Sequence, residues 1–161
     1  MKRKAPKEIA AFRVYPGLGN YECGTGRRGI YFVVRVLGTF SALREIATAD
    51  GTECHPASFY RKANAACQCW LETARADRGR KYVTRNAGQI LICTKDLSPA
   101  VIAHECVHAA NWWFRRLKKI ARNRPIVVHR PEEEMVCYAI GEMTDQVYRG
   151  LERVGLIRCT T

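Results

Sequence analysis

The sequence contains no long run of apolar residues. A membrane-spanning helix takes about twenty of them in succession, and the longest candidate, around Ile30–Val36, is interrupted by Arg35. The basic start of the chain is followed within a few residues by Arg13, not by an apolar stretch of signal-peptide length. We therefore expect no contact with a membrane and no export, and predict a cytoplasmic protein.

Disulfide bonds are not expected in such a chain, although it has 8 cysteines. Cys93, Cys106 and Cys137 lie in apolar segments, where a free thiol behaves as a small core residue. The pair Cys67 and Cys69 lacks the two-residue spacing of zinc ribbons and fingers. The cysteines are therefore interpreted as reduced thiols.

Acidic residues are few compared with basic ones. The 15 Asp and Glu stand against 27 Lys and Arg, which gives a formal net charge of +12. Such an excess predicts attraction to anionic partners, nucleic acid first among them. The basic residues are spread along the chain instead of forming one dense arm, so a solvated surface explains them equally well.

Internal repeats and low-complexity linkers are also absent, and 161 residues suit one domain with one core. We expect residues 1–12 to form a flexible basic N-terminus and residues 17–29 to form a loop. Residues 29–38, rich in β-branched and aromatic side chains between glycines, predict a strand.

Further elements follow from the spacing of apolar residues. Residues 41–47 predict a short helix, and residues 57–77 predict an amphipathic helix because their apolar side chains recur at helical spacing. Residues 81–84 and 89–94 predict two short strands of a hairpin or a sheet edge. The second of these strands leads into the segment that carries the chemistry.

That segment is His104-Glu105-Cys106-Val107-His108. Ser98 and Pro99 favour a helix start just before it, and we expect this helix to run to about Lys119. Two histidines four residues apart lie one turn above each other on a helix, so both imidazoles can reach one ion. Neutral imidazole suits Zn²⁺, and Glu105 on the flank of the same face can act as general base towards a water molecule.

A third ligand is expected from a second helix that begins at Pro131. Glu132, Glu133 and Glu134 occupy its first turn. Acidic side chains there also complement the helix dipole, which accounts for one or two of them and leaves one for the metal. His129, between the two helices, is an alternative ligand or a donor to a developing oxyanion.

At these residues the chain resembles the gluzincin metallopeptidases, in which H-E-x-x-H is followed on a later helix by a glutamate ligand, often as E-x-x-x-D. Residues 134–138, Glu-Met-Val-Cys-Tyr, are similar to this pattern, with Tyr138 in place of the aspartate. The resemblance covers roughly residues 88–150. It favours Glu134 as the third zinc ligand, with Glu133 as the alternative, and implies that the Tyr138 hydroxyl supports a ligand histidine.

The rest of the chain looks like the minimal zincins of bacteriophages and bacteria, distantly similar to the ImmA/IrrE and SprT-like groups. The resemblance implies an α+β fold, with a small sheet, the motif helix and a C-terminal helix that bears Glu134 and ends near Gly150. It also implies that residues 89–94 form the sheet edge that pairs with an extended substrate.

The implied function is zinc-dependent hydrolysis of a peptide bond in a protein substrate, hypothetically one associated with nucleic acid. Two alternatives stay open. One is a zinc-stabilised protein without catalytic activity that acts on DNA or a host factor. The other is a basic nucleic-acid-binding module whose histidines are incidental.

Overall fold

The computed structural model describes residues 7–17, 30–49, 57–70, 75–77, 80–82, 86–121 and 132–158. Within these ranges the fold is α+β, as expected. The elements, in chain order, are β1 (Glu8–Val14), β2 (Tyr31–Leu37), α1 (Phe40–Ala49), a 3₁₀ helix (Ala57–Lys62), β3 (Ala65–Cys69), β4 (Arg75–Asp77), β5 (Arg80–Tyr82), β6 (Asn86–Cys93), α2 (Pro99–Ala121) and α3 (Glu132–Arg153).

Four of the strands form a mixed sheet in the order β1-β2-β6-β3. The β1–β2 and β6–β3 pairs are antiparallel, whereas β2 and β6 are parallel. Strand β6 is therefore central, and the prediction that residues 89–94 form the sheet edge is wrong. The reason lies in its burial: residues 87–93 are all buried, as in a strand covered on both faces. The edge strand next to β6 is β3.

The helix predicted over residues 57–77 is also wrong. This stretch contains the 3₁₀ helix, β3 and β4. Along β3 burial alternates, with Ala66 and Gln68 buried and their neighbours half-buried, which is the period of a strand. Backbone pairing with β6 outweighs the local helical spacing of the apolar residues. The predicted hairpin fails for a related reason, since β5 pairs with β4 and β6 pairs with β2 and β3.

Of the elements predicted near the N-terminus, some are confirmed and one is wrong. Residues 8–12, expected to be flexible, form most of β1, which pairs with β2. The predicted strand over residues 29–38 is confirmed as β2, and the short helix over 41–47 is confirmed as the longer α1. Of the expected loop at 17–29, residues 18–29 lie outside the described part of the chain.

The sheet is covered on both faces. On one face it packs against α2 and α3 through a cluster that includes Phe32, Ile90, Trp113 and Met143. On the other face a smaller cluster joins Leu43 and its neighbours in α1, and Tyr60 in the 3₁₀ helix, to the sheet. Ile90 and Ile92 of β6 belong to the first cluster, and Leu91 and Cys93 belong to the second. Strand β6, which leads into α2, is therefore held by packing on both of its faces. Among the described residues, no helix is long and apolar enough to cross a membrane.

A chain of polar side chains fixes β3 in the sheet. Arg35 donates to Gln89 Oε1 at 3.2 Å, Gln89 Nε2 donates to Gln68 Oε1 at 2.6 Å, and Gln68 Nε2 donates to the carbonyl of Ala47 at 2.6 Å. Gly88 permits the close approach of the two strands, because a Cβ there would lie 2.1 Å from the Gln68 carbonyl oxygen. The position of β3 is therefore tightly specified.

Candidate metal centre

The two motif histidines converge on the surface of α2. The Nε2 atoms of His104 and His108 lie 3.1 Å apart, and both side chains are exposed. Two nitrogen ligands at 2.0–2.1 Å from a tetrahedral zinc would be about 3.3 Å apart. The donor set and its spacing therefore fit two of the ligands of a zinc ion, as the H-E-x-x-H pattern predicted.

Glu105, between them in the sequence, lies in a different environment. Its side chain is buried, with 6% of its surface exposed. Burial raises its pKa from 4.5 to about 7, and a hydrogen bond from the backbone N–H of Cys67 opposes this rise. Its second oxygen, Oε2, has no hydrogen-bond partner among the described residues. A carboxyl group with these properties can accept and return a proton near neutral pH.

The hydrogen bond from Cys67 identifies the outward side of β3. The N–H of Trp70, just after the strand, donates to the carbonyl of Ala87 at 2.8 Å, so it faces inwards. In an antiparallel ladder alternate residues turn both backbone groups to the same side. Ala65, Cys67 and Cys69 therefore turn their N–H and C=O groups away from β6, towards the outer edge of the sheet, which pairs with no other strand among the described residues. Sequence analysis missed this edge because Ala65–Cys69 contains no β-branched or aromatic residue, and its one polar side chain, Gln68, is buried.

A groove runs between this edge and α2. Its volume is about 840 Å³, and it is lined by Tyr60 and Lys62, by β3 and by α2 from His104 to Arg115. A second, smaller cavity continues it towards the start of α2, between Asn64 and Val101. Sites that hold small ligands or short peptides commonly enclose 300–1,000 Å³. The motif thus lies in the floor of a groove that has a strand edge as one wall.

Two thiols of β3 also line this groove. The Sγ atoms of Cys67 and Cys69 lie 3.8 Å apart. The hydrogen bond with Cys69, together with burial, raises the pKa of the Cys67 thiol well above its usual value. On α2, burial raises the pKa of Cys106 to about 11. Cys67 and Cys106 are therefore neutral thiols at physiological pH in the metal-free protein.

The predicted third ligand is not brought to the histidines. Glu133 and Glu134 are exposed in the first turn of α3, and Tyr138 is 52% exposed. The core-facing side of α3 is instead that of Met135 and the buried residues that follow it at four-residue spacing. No group of three or more His, Cys, Asp or Glu side chains suited to a metal occurs in the described part of the chain.

The remaining candidates lie outside the described residues. His129 is in the segment 122–131, and the side chain of Glu132 is likewise not described. The structure therefore brings together His104, Glu105 and His108, while the identity of a third ligand stays a prediction.

Comparison of the chain with protein-family models, with curated proteins and with solved structures found no match. The geometry of the site and its surroundings is thus the main guide to function.

Proposed function

We propose that this protein is a zinc-dependent metallopeptidase of the minimal zincin type, which hydrolyses a peptide bond in a protein substrate. One observation carries the proposal: the Nε2 atoms of His104 and His108 converge to 3.1 Å beside the buried carboxyl group of Glu105. The four-residue spacing alone brings the two imidazoles together, and the buried acid that lines the same groove is the feature that suits them to hydrolysis.

In this proposal His104 and His108 hold the zinc ion. The gluzincin-like pattern on α3 favours Glu134 as the third ligand and Glu133 as the alternative, and binding by either would require the first turn of α3 to approach the histidines more closely than it does in this structure. Tyr138, one turn after Glu134, would support a ligand histidine, and His129 is an alternative third ligand or a donor to the developing oxyanion. A bound zinc ion supplies a Lewis acid and increases the acidity of a water molecule.

The residues of the chain perform the remaining steps. A substrate adds to the outer edge of β3 as an extended strand, through the N–H and C=O groups of Ala65 and the C=O group of Cys67. The N–H group of Cys67 stays bonded to Glu105. Glu105 accepts a proton from the attacking water and returns it to the leaving amine. In the metal-free protein burial raises the pKa of Glu105 to about 7. A zinc ion held beside it would lower that pKa and favour the carboxylate, which is the form that accepts a proton.

The test is the variant Glu105→Gln, assayed on a mixture of quenched fluorescent peptides with randomised sequences. We expect hydrolysis to fall by a factor of about 10²–10⁴, with zinc content unchanged. Glu45→Gln, an exposed position on α1 at the other face of the sheet, is the matched control and should keep full activity.

If Glu105→Gln hydrolyses peptides as fast as the wild type, the proposal is wrong. If the wild type binds zinc and cleaves no peptide, the alternative of a zinc-stabilised binding protein without catalytic activity replaces it.

A further inference from the structure

The groove beside the motif carries an excess of positive charge. Lys62, from the 3₁₀ helix, and Arg115, from α2, both line it. Among the described lining residues Glu105 is the one acidic side chain, and neither cation makes an ion pair with a described residue. These cations are therefore available to a ligand in the groove.

Arg115 has a defined position relative to the motif. His104, His108, Asn111 and Arg115 follow each other at spacings of four, three and four residues, which places them in one stripe along α2. Arg115 is seven residues beyond His108, or about 10 Å along the helix axis. An extended peptide covers about 10 Å in three residues.

The direction of a bound peptide follows from the packing of β3 on α2. The start of β3, at Ala65, lies across the smaller cavity from Ala100 and Val101, and Cys67 in its middle contacts Glu105. Strand β3 and helix α2 therefore run the same way. A peptide that pairs antiparallel to β3 then runs from the Arg115 end of the groove to the Val101 end, with its N-terminal part near Arg115.

We infer that Arg115 is a specificity-determining residue, which binds an acidic side chain of the substrate about three residues on the N-terminal side of the scissile bond. This inference rests on the proposed peptidase function and names its substrate class: extended peptides with an acidic residue upstream of the cleavage site. The guanidinium group suits this task, because its fork of N–H donors matches the two oxygens of a carboxylate.

A peptide fits the groove better than a nucleic acid. The edge of β3 offers the N–H and C=O groups of Ala65 and the C=O group of Cys67, which can pair with the backbone of an extended peptide. A nucleic-acid strand is held chiefly by basic residues that follow its phosphates and by aromatic stacking. The described lining offers two cations on separate elements instead of a row of them. Its aromatic residues, Tyr60 and Trp112, are buried and half-buried respectively, which limits base stacking.

The binding test uses zinc-loaded Glu105→Gln protein, so that turnover does not interfere. The probes are three mixtures of labelled nine-residue peptides, composed of neutral residues except for a Glu, a Gln or a Lys at the third position. We expect the Glu mixture to bind about threefold more tightly than the Gln mixture, and the Lys mixture to bind most weakly. Adding Arg115→Glu should reverse this order, whereas Arg158→Glu, an exposed position outside the groove, should preserve it.

Equal binding of the three mixtures, or an order that Arg115→Glu leaves unchanged, would overturn the inference. So would a labelled single-stranded oligonucleotide that binds in an Arg115-dependent way while the Glu mixture shows no advantage. The proposed function is tested separately, by measuring whether the wild-type protein cleaves the same peptide mixtures. Cleavage without a preference for Glu removes the inference alone. Acid-selective, Arg115-dependent binding without cleavage removes the peptidase function and leaves Arg115 as a residue that binds acidic peptides in the groove.

Discussion

The backbone N–H of Cys67 donates a hydrogen bond to the carboxylate of Glu105. This contact joins the edge strand β3 to the motif helix α2. Both elements line the groove at this point. A peptide added to β3 would therefore pass directly beside the group that is proposed to act as the base. It also means that the conformation of β3 and the position of Glu105 depend on each other.

The burial of Glu105 predicts a pH-dependent loss of stability in the metal-free protein. The unfolded chain ionises this group near 4.5, whereas the folded protein keeps it protonated until about pH 7. A raised folded-state pKa favours folding below the unfolded value, and this advantage is lost as pH rises through the folded value. At about 1.4 kcal/mol per pKa unit, the loss approaches about 3 kcal/mol by pH 8.

Glu105→Gln should remove this loss, because a neutral amide carries no charge to desolvate. In the presence of a chelator, urea unfolding should show the variant to be more stable than the wild type at pH 8 and similar to it at pH 4. A constant difference between the two proteins across this range would contradict the burial of an ionisable group at this position.

Because Gln89 donates a hydrogen bond to Gln68 across the β3–β6 pair, we expect substitutions of these two residues to have non-additive effects on the free energy of unfolding. Gln89→Leu would leave the buried Gln68 Oε1 without the donor that lies 2.6 Å away, which costs about 1–3 kcal/mol of unfolding free energy. Replacing both residues by Leu should cost less than the sum of the two single changes, since neither amide is then left without its partner. Denaturant unfolding of the four proteins measures the coupling, and strict additivity would be evidence against it.

Gly150 and Gly141, both in α3, should respond to alanine in opposite directions. A Cβ at Gly150 would lie 2.3 Å from a ring carbon of Phe12 in β1, whereas one at Gly141 meets no atom within 4 Å. Gly150→Ala should destabilise the protein by about 1–3 kcal/mol through overpacking. Gly141→Ala should stabilise it by up to about 1 kcal/mol through helix propensity. Thermal unfolding distinguishes them, and equal shifts in Tm would mean that α3 and β1 are not packed as described.

The sequence predicts the local features of this fold better than its pairing. Ser98 and Pro99 predict the start of the motif helix, and a run of β-branched residues between glycines predicts strand β2. Both predictions succeed because they depend only on neighbouring residues. Which strand lies at the edge of the sheet depends on partners distant in sequence. The continuous apolar run over residues 90–93 is typical of a strand buried on both faces, but that run does not reveal that β2 and β3 are the strands on either side of β6.

In the candidate site, too, the sequence predicts the residues that are close together in the chain and misses the contacts between distant ones. His104, Glu105 and His108 are predicted together because a four-residue spacing on one helix fixes their geometry. The hydrogen bond from Cys67 to Glu105 brings together residues far apart in sequence and could not be predicted. The choice of Glu134 depends on how α3 is rotated against α2, and in the described residues the core-facing positions of α3 are those of Met135 and its successors.

Zinc content, measured by elemental analysis, tests the central claim most directly. Purified wild type is compared with His104→Ala, His108→Ala, Glu134→Ala and Glu133→Ala, each checked for folding by circular dichroism. We predict one zinc ion per chain in the wild type and in Glu133→Ala, and its loss from both histidine variants and from Glu134→Ala. A wild type that binds no zinc even when zinc is supplied, or histidine variants that keep a full equivalent, would contradict the account.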